Sequence, residues 1–241
     1  MIILDAHSHI LPGIDDGARN VRQSAELMNS LTEQSADAVV FTPHFLPHKE
    51  SLNEFLLKRN GAVDKMMPVI KQSRLIIMLG AEVFLSEKLF DNEDIKRLCF
   101  SGNYLMVELQ TMTAWSGKTT AMLDKLINDY GIIPVIAHAE RYVRNNDAYK
   151  TMHSLVEKGC LIQMNADFLL WPLRLLMIDR MCREELVFLL GSDAHNTLFR
   201  PVRIKKAYET VKKHYPKVFE QVQAYSEKIM EQANLAMDYR K

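Results

Sequence analysis

The sequence predicts an α/β fold, a β/α barrel, on two recurring patterns and one absence. Short apolar, β-rich runs occupy 2–6, 38–42, 75–81, 104–109, 132–137, 160–164 and 186–191. Amphipathic helix-like stretches such as 21–35, 118–131 and 148–159 separate them, with Gly131 and Gly159 where helix C-caps are expected. Continuous apolar strands alternating with helices mean a parallel sheet covered on both faces. Seven such units favour closure into a barrel. An open doubly wound sheet would carry a glycine-rich phosphate loop after its first strand, and none is present. From Arg200 onward the pattern is helical, a barrel helix plus an extra C-terminal helix. No linker or low-complexity segment interrupts the chain, so one domain over 1–241 is expected.

Charge and cysteine content narrow the function classes. Lys+Arg and Asp+Glu balance at 30 each, which excludes a strongly basic nucleic-acid binder. The balance is uneven along the chain: residues 200–241 hold ten basic and five acidic groups. Cys99, Cys160 and Cys182 form no CxxC pair. They offer neither a disulfide framework nor a zinc knuckle, and a reducing cytoplasm is the expected compartment. The opening MIILDAHSH has no basic region before its apolar stretch, so a signal peptide is not expected. No apolar run approaches the roughly 20 residues that cross a bilayer, so no direct membrane insertion is expected.

Five of the eight histidines stand at strand ends: His7 and His9 after the first, His44 in TPH, His138 in AHAER and His195 in SDAH. Glu82 in GAE, Glu108 in VEL and Asp193 in SDAH share those places. The C-terminal strand ends of a β/α barrel form its active face, so the fold would gather these residues into one ring. Residues two apart in a strand point the same way, which aims His7 with His9 and Asp193 with His195. Barrel closure sets those two pairs side by side. So many imidazoles and carboxylates exceed what one ion with open positions takes, and suit two or three ions sharing carboxylates. Nitrogen and oxygen ligands without thiolate fit Mn, Fe or Zn. The run at 160–164 alone lacks such a residue at its end.

Plainer readings apply to single elements. GIDDG suits a tight turn. Glu108 among apolar residues is harder to explain that way, because a buried carboxylate is costly unless paired or ligating. The fourteen methionines are read as core filler. His48, His153 and His214 fall off the strand-end pattern and are assigned to surface or helix. Phe45 and Trp171 are candidates for a phenol pocket, with packing the equal alternative. Cysteine-dependent phosphatase chemistry needs C-x5-R, and Leu105, Ala166 and Phe188 stand where the arginine would be. No DxD pattern for an aspartyl-phosphate is present.

The motifs DAHSHILPGIDDGA, TPHF, GAE, VEL, AHAERY and SDAHNTLFRP, in that order, resemble the polymerase-and-histidinol-phosphatase (PHP) superfamily. The first and last are most similar to bacterial capsule-system tyrosine phosphatases, and the resemblance spans Ile2 to about Pro201. It implies a distorted seven-stranded barrel of PHP type with two or three divalent ions, manganese foremost. The ligands it implies are His7, His9, Asp16 in preference to Asp15, His44, Glu82, Glu108, His138, Asp193 and His195. Arg141, Arg200 and His44 are the catalytic set, the arginines holding phosphate. The implied reaction is attack of metal-held hydroxide on phosphotyrosine. Its substrate would be the tail of a bacterial tyrosine kinase of capsule or exopolysaccharide assembly. The rivals are a phosphomonoesterase acting on a small metabolite such as histidinol phosphate, and a non-catalytic docking protein. Two departures stand out: alanine replaces the usual proline in His138–Arg141, and the glycine expected soon after the sixth strand is missing.

Overall fold

The computed structural model describes residues 1–143, 145–170 and 175–238, so Trp171 lies outside the described residues. Strand β1 (Leu4–Ser8) is followed by α1 (Val21–Glu33), β2 (Ala38–Phe41), β3 (His44–Phe45) and α2 (Leu52–Ile70). Next come β4 (Ile76–Leu79), β5 (Glu82–Phe84), β6 (Tyr104–Glu108), α3 (Gly117–Asn128), β7 (Ile133–Ile136) and α4 (Asn146–Glu157). The chain continues with β8 (Leu161–Asn165), the single turn α5 (Ala166–Leu169), α6 (Leu175–Arg183) and β9 (Leu189–Gly191). Helices α7 (Ile204–His214) and α8 (Pro216–Asp238) complete it.

Side-chain caps set the helix starts. Asn20 caps α1, Ser51 and Glu54 form a reciprocal capping box on α2, and Ser116 caps α3. Asn145 caps α4, which is why that helix begins two residues before the expected Ala148. Each helix buries one stripe; in α1 it is Ser24, Leu27, Met28 and Leu31. No described helix is long and apolar enough to cross a membrane.

Every pairing between strands is parallel, in the orders β1-β2-β4 and β3-β5-β6-β7-β8-β9. The predicted second and third strands are each found as two pieces. Phe41 pairs with Leu79 and His44 with Glu82, so both breaks lie at one level. Pro43 offers no N–H there, which interrupts one side of the ladder. The other side persists, with Gly80 donating to the Phe41 carbonyl at 2.9 Å and Glu82 to that of Pro43 at 3.0 Å. Just beyond β9 the chain meets β1 through the bridge of Ser8 with Ala194, flanked by Asp193 N–H to the His7 carbonyl at 2.8 Å and His9 N–H to the Ala194 carbonyl at 3.0 Å.

The first strand starts at Leu4, not Ile2. Side chains take the earlier amides: Gln223 accepts from Ile2 and Asp37 from Ile3. The last strand starts at Leu189, not Leu186, because the Leu186 N–H closes the preceding helix on Met181. The strand interiors are mostly apolar, with Asp5 of β1 and Gln163 of β8 the buried polar residues within them. Their C-terminal ends are the exception.

Candidate metal centre

His7 ends the inward-facing row of β1 and His9 follows two residues on; their Nε2 atoms meet at 3.1 Å. Glu82 opens β5 beside His44 of β3, and Glu108 ends β6. His138 follows β7, while Asp193 and His195 follow β9. Residues spread from 7 to 195 thus share one cluster, buried apart from the half-buried His44 and Glu108, as the strand-end pattern requires.

Glu82 is its hub. Oε1 accepts from His138 Nε2 at 2.7 Å. Oε2 lies 3.0 Å from His44 Nδ1 and 3.2 Å from both His7 Nε2 and His9 Nε2. None of those three close approaches to Oε2 has hydrogen-bond geometry, and Oε2 and His44 Nδ1 are buried without a hydrogen-bond partner. A buried carboxylate oxygen facing three imidazole nitrogens and bonding to none is costly for a proton network and natural for a cation. Among the described residues, three groups bring ligand atoms within 4.8 Å of one another: His9, Asp16, His44 and His195; His7, His9 and Glu82; His44, Glu82 and Glu108. The donors are nitrogen and oxygen throughout, so the residues fit divalent ions of the Mn, Fe or Zn type.

The other expected ligands border these groups. His138 Nε2 is 3.8 Å from Glu108 Oε1, and Asp193 Oδ1 is 3.5 Å from His9 Nε2. His138 and Asp193 hold φ of 33° and 52°, left-handed conformations that cost energy for residues other than glycine and recur at functional sites. The two adjacent aspartates separate cleanly. Asp16 Oδ1 points to His195 Nε2 at 3.3 Å and His44 Nε2 at 3.4 Å. Asp15 instead accepts from His9 Nδ1 at 2.8 Å and from the Gly17 and His44 amides. Gly17 is required beside it: a Cβ there would lie 2.2 Å from the His9 carbonyl.

The electrostatics follow from burial and pairing. Burial alone would lower the His9 pKa, but Asp15 and Glu82 push it up to about 10. Burial opposes the charge of Glu82 too, yet His7 and His138 hold its carboxyl well below the usual range. Burial, with His9 and Arg200 nearby, brings His195 down to about 4. Burial also lowers His138.

Arg141 and Arg200 both reach Asp193 Oδ2, Arg141 Nη2 at 2.6 Å, and Arg200 Nη1 is 2.8 Å from His195 Nε2. They border a cavity of about 210 Å³ lined also by Asn165, Asp167 and Phe168. Phe45 is elsewhere: it is fully buried against Phe55, in the core. His48 meets the edge of Phe84, His153 pairs with Glu184 on the surface, and His214 ends α7. Burial pushes the thiols of Cys160 and Cys182 up to about 12, which leaves no reactive thiolate there.

Several residues at the site escaped the sequence reading. Phe168 supplies the cavity's aromatic wall. Tyr142 OH accepts from Leu109 N–H and lies 3.2 Å from His138 Nδ1. Asp5 Oδ1 accepts from Ser192 N–H at 2.7 Å, tying β1 to the turn that carries Asp193. Gln163 and Asn165 reach the cluster from β8. Their two-residue spacing in a strand was a legible signal; Tyr142 and Phe168 offered none.

The family model described as "Capsular polysaccharide synthesis, CpsB/CapC" matches residues 3–231. The tyrosine-protein phosphatase CpsB of Streptococcus pneumoniae is 28% identical over 231 residues, covering 88% of this chain and 91% of that protein. A crystal structure described as YwqE from Bacillus subtilis and CpsB from Streptococcus pneumoniae, metal-dependent tyrosine phosphatases, superposes with a TM-score of 0.74 at 22% identity, covering 95% of each chain. Histidinol phosphate phosphatase from Lactococcus lactis, complexed with zinc, L-histidinol and phosphate, reaches 0.61 at 13% identity over 90% of this chain and 93% of that one. Both structures show a shared fold. The match across residues 3–231, on a chain that carries its ordered motifs into one buried cluster, places this protein in the CpsB/CapC family of capsular polysaccharide synthesis.

Proposed function

We propose that the chain is a metal-dependent protein-tyrosine phosphatase acting on the phosphotyrosine-bearing tail of a cytoplasmic bacterial tyrosine kinase of capsule assembly. One observation carries the reading: two arginines converge on one edge of a buried nitrogen–oxygen cluster, beside a cavity with an aromatic wall. The relatives named tyrosine-protein phosphatase support it. The barrel is read as seven-stranded, with β2 and β3 one interrupted strand, β4 and β5 another, and β9 closing on β1. The chain is read as one domain.

His7, His9 and Glu82, with Asp193, would hold one ion; Asp16, His44 and His195 a second; Glu82, Glu108 and His138 a third, manganese being the best fit. Bound divalent ions supply positive charge to the transferring phosphoryl group and lower the pKa of water toward neutrality. Arg141 and Arg200 turn from Asp193 to the phosphoryl oxygens, where paired guanidinium groups bind best. Phe168 lies along the phenol ring. A phenolate leaves readily, its pKa being about 10. No side chain forms a covalent intermediate, in keeping with the buried, protonated thiols.

Metal analysis paired with turnover tests the reading. Hydrolysis of a phosphotyrosine peptide should disappear on chelation and return with Mn²⁺, with kcat/KM at least tenfold above that for histidinol phosphate. Full activity in metal-free protein rejects the metal role, and a preference for histidinol phosphate rejects the substrate class.

A further inference from the structure

Strand β8 is the one long strand of the sheet whose end carries none of the expected ligands, yet it touches three of them. We infer that Gln163 and Asn165 form a buried amide relay that keeps the Nδ1 proton on His7 and orients Asp193, so that both present their free lone pairs to the cluster. The inference rests on the metal reading above.

The direction of the relay follows from one backbone amide. His138 N–H can only donate, and it donates to the Gln163 side chain at 2.7 Å. The accepting atom is therefore the carbonyl oxygen Oε1, which settles the amide's orientation. His7 Nδ1 faces that same oxygen at 3.1 Å, so it must carry a proton. The lone pair of His7 is then on Nε2, the atom that faces Glu82 and His9. Gln163 Nε2 is left as a donor, and it donates to Asn165 Oδ1 at 2.9 Å. That makes Asn165 Nδ2 the next donor, to Asp193 Oδ2 at 2.8 Å. Oδ1 of Asp193 remains on the cluster side, 3.5 Å from His9 Nε2. Gln163 is fully buried, which keeps water from competing for its amide, while Asn165 borders the cavity.

The fold makes room for this contact. Strand β9 lies between β8 and β1, pairing Gly191 with Asn165. A Cβ on Gly191 would sit 2.5 Å from His7 Cβ and 2.9 Å from Gln163 Nε2. Glycine at that position lets the amide of Gln163 cross over β9 to the imidazole of His7. Gln163 and Asn165 are thus positioning residues, acting through His7, His138 and Asp193. Partners of this kind tune metal affinity by about 10–100-fold.

The test uses the full-length protein and two readouts that do not depend on turnover. Nitrogen-15 NMR of the histidine rings, in metal-free and in Zn²⁺-loaded protein, should show a proton on His7 Nδ1 in both; its absence from either overturns the relay. Gln163→Leu removes the acceptor and should weaken Mn²⁺ binding by about 10–100-fold in a competition titration against a chelating dye. Gln163→Glu keeps an acceptor for His7 and His138 and should restore most of that loss. Wild-type affinity in folded Gln163→Leu protein overturns the proposal. If that variant does not fold, the wild-type spectrum decides by itself. If the wild-type protein holds no divalent ion, the metal reading fails, and the His7 Nδ1 proton still decides the relay.

Discussion

Ahead of Asp5, β1 lies among groups that satisfy one another's hydrogen bonds. Gln223 accepts from Ile2 N–H at 2.8 Å and donates to its carbonyl at 2.7 Å. Tyr208 OH accepts from Leu4 N–H, donates to the Leu4 carbonyl at 3.0 Å and meets Ser226 Oγ at 3.1 Å. At the other end of the same strand, His7 and His9 are equally buried, but their neighbours are carboxylates and imidazoles whose lone pairs converge. Burial is the same at both ends; satisfaction differs. The lower end is self-sufficient, while the upper end is left incomplete, as the proposed metal site requires.

The contrast can be broken most severely at Glu82. Glu82→Ala should cut phosphotyrosine turnover by at least about 10³-fold, the scale of removing a group that organises charge at a reacting centre. The same variant should keep its metal-free circular dichroism. An equal loss of fold and turnover would contradict the division between the two ends.

Acidity provides the second test. The His9 pKa rises from 6.5 to about 10 in the metal-free chain. A raised imidazole pKa stabilises the fold fully below about pH 6.5, and that contribution disappears as pH rises through about 10. Metal-free protein should therefore lose melting temperature between those limits. A cation replaces the Nε2 proton, so Mn²⁺ affinity should run the opposite way, rising about tenfold per pH unit for each proton displaced. Parallel trends in the two measurements would remove His9 from the cluster's chemistry.

At the lower end, Tyr208→Phe should cost about 1–3 kcal/mol in a denaturant titration, since it strands the buried Leu4 groups. Mn²⁺ affinity should not change. The smallest effect belongs to the surface. Arg22 and Glu26 form an exposed pair at 3.1 Å on α1, and Arg22→Ala should change stability by less than about 0.5 kcal/mol.

Much of this is legible in the sequence alone. The alternation of apolar runs and amphipathic stretches located the predicted strands to within a few residues, because periodicity reports burial directly. The strand-end histidines and carboxylates were visible because the barrel logic assigns one face to them. Other features were not legible. The break at Pro43 is local, but its alignment with Gly80 and Ala81 depends on register between two strands. Asp15 and Asp16 are chemically identical neighbours, and only the turn closed by Gly17 gives one to His9 and turns the other toward His44 and His195. Phe45 reads like a pocket residue in TPHF, yet strand alternation sends it to Phe55. Phe168 carries no local signal and lines the cavity.

By itself the sequence determined the class of fold, the candidate ligands and the lack of a C-x5-R motif, because each depends on residue type and short-range spacing. Tertiary structure alone decided which atoms converge. Glu82 becomes a hub because β5 lies between β3 and β6, and the β8 amides reach His7 because Gly191 leaves space in the strand between. Those are facts of register and crossing, which no local pattern encodes.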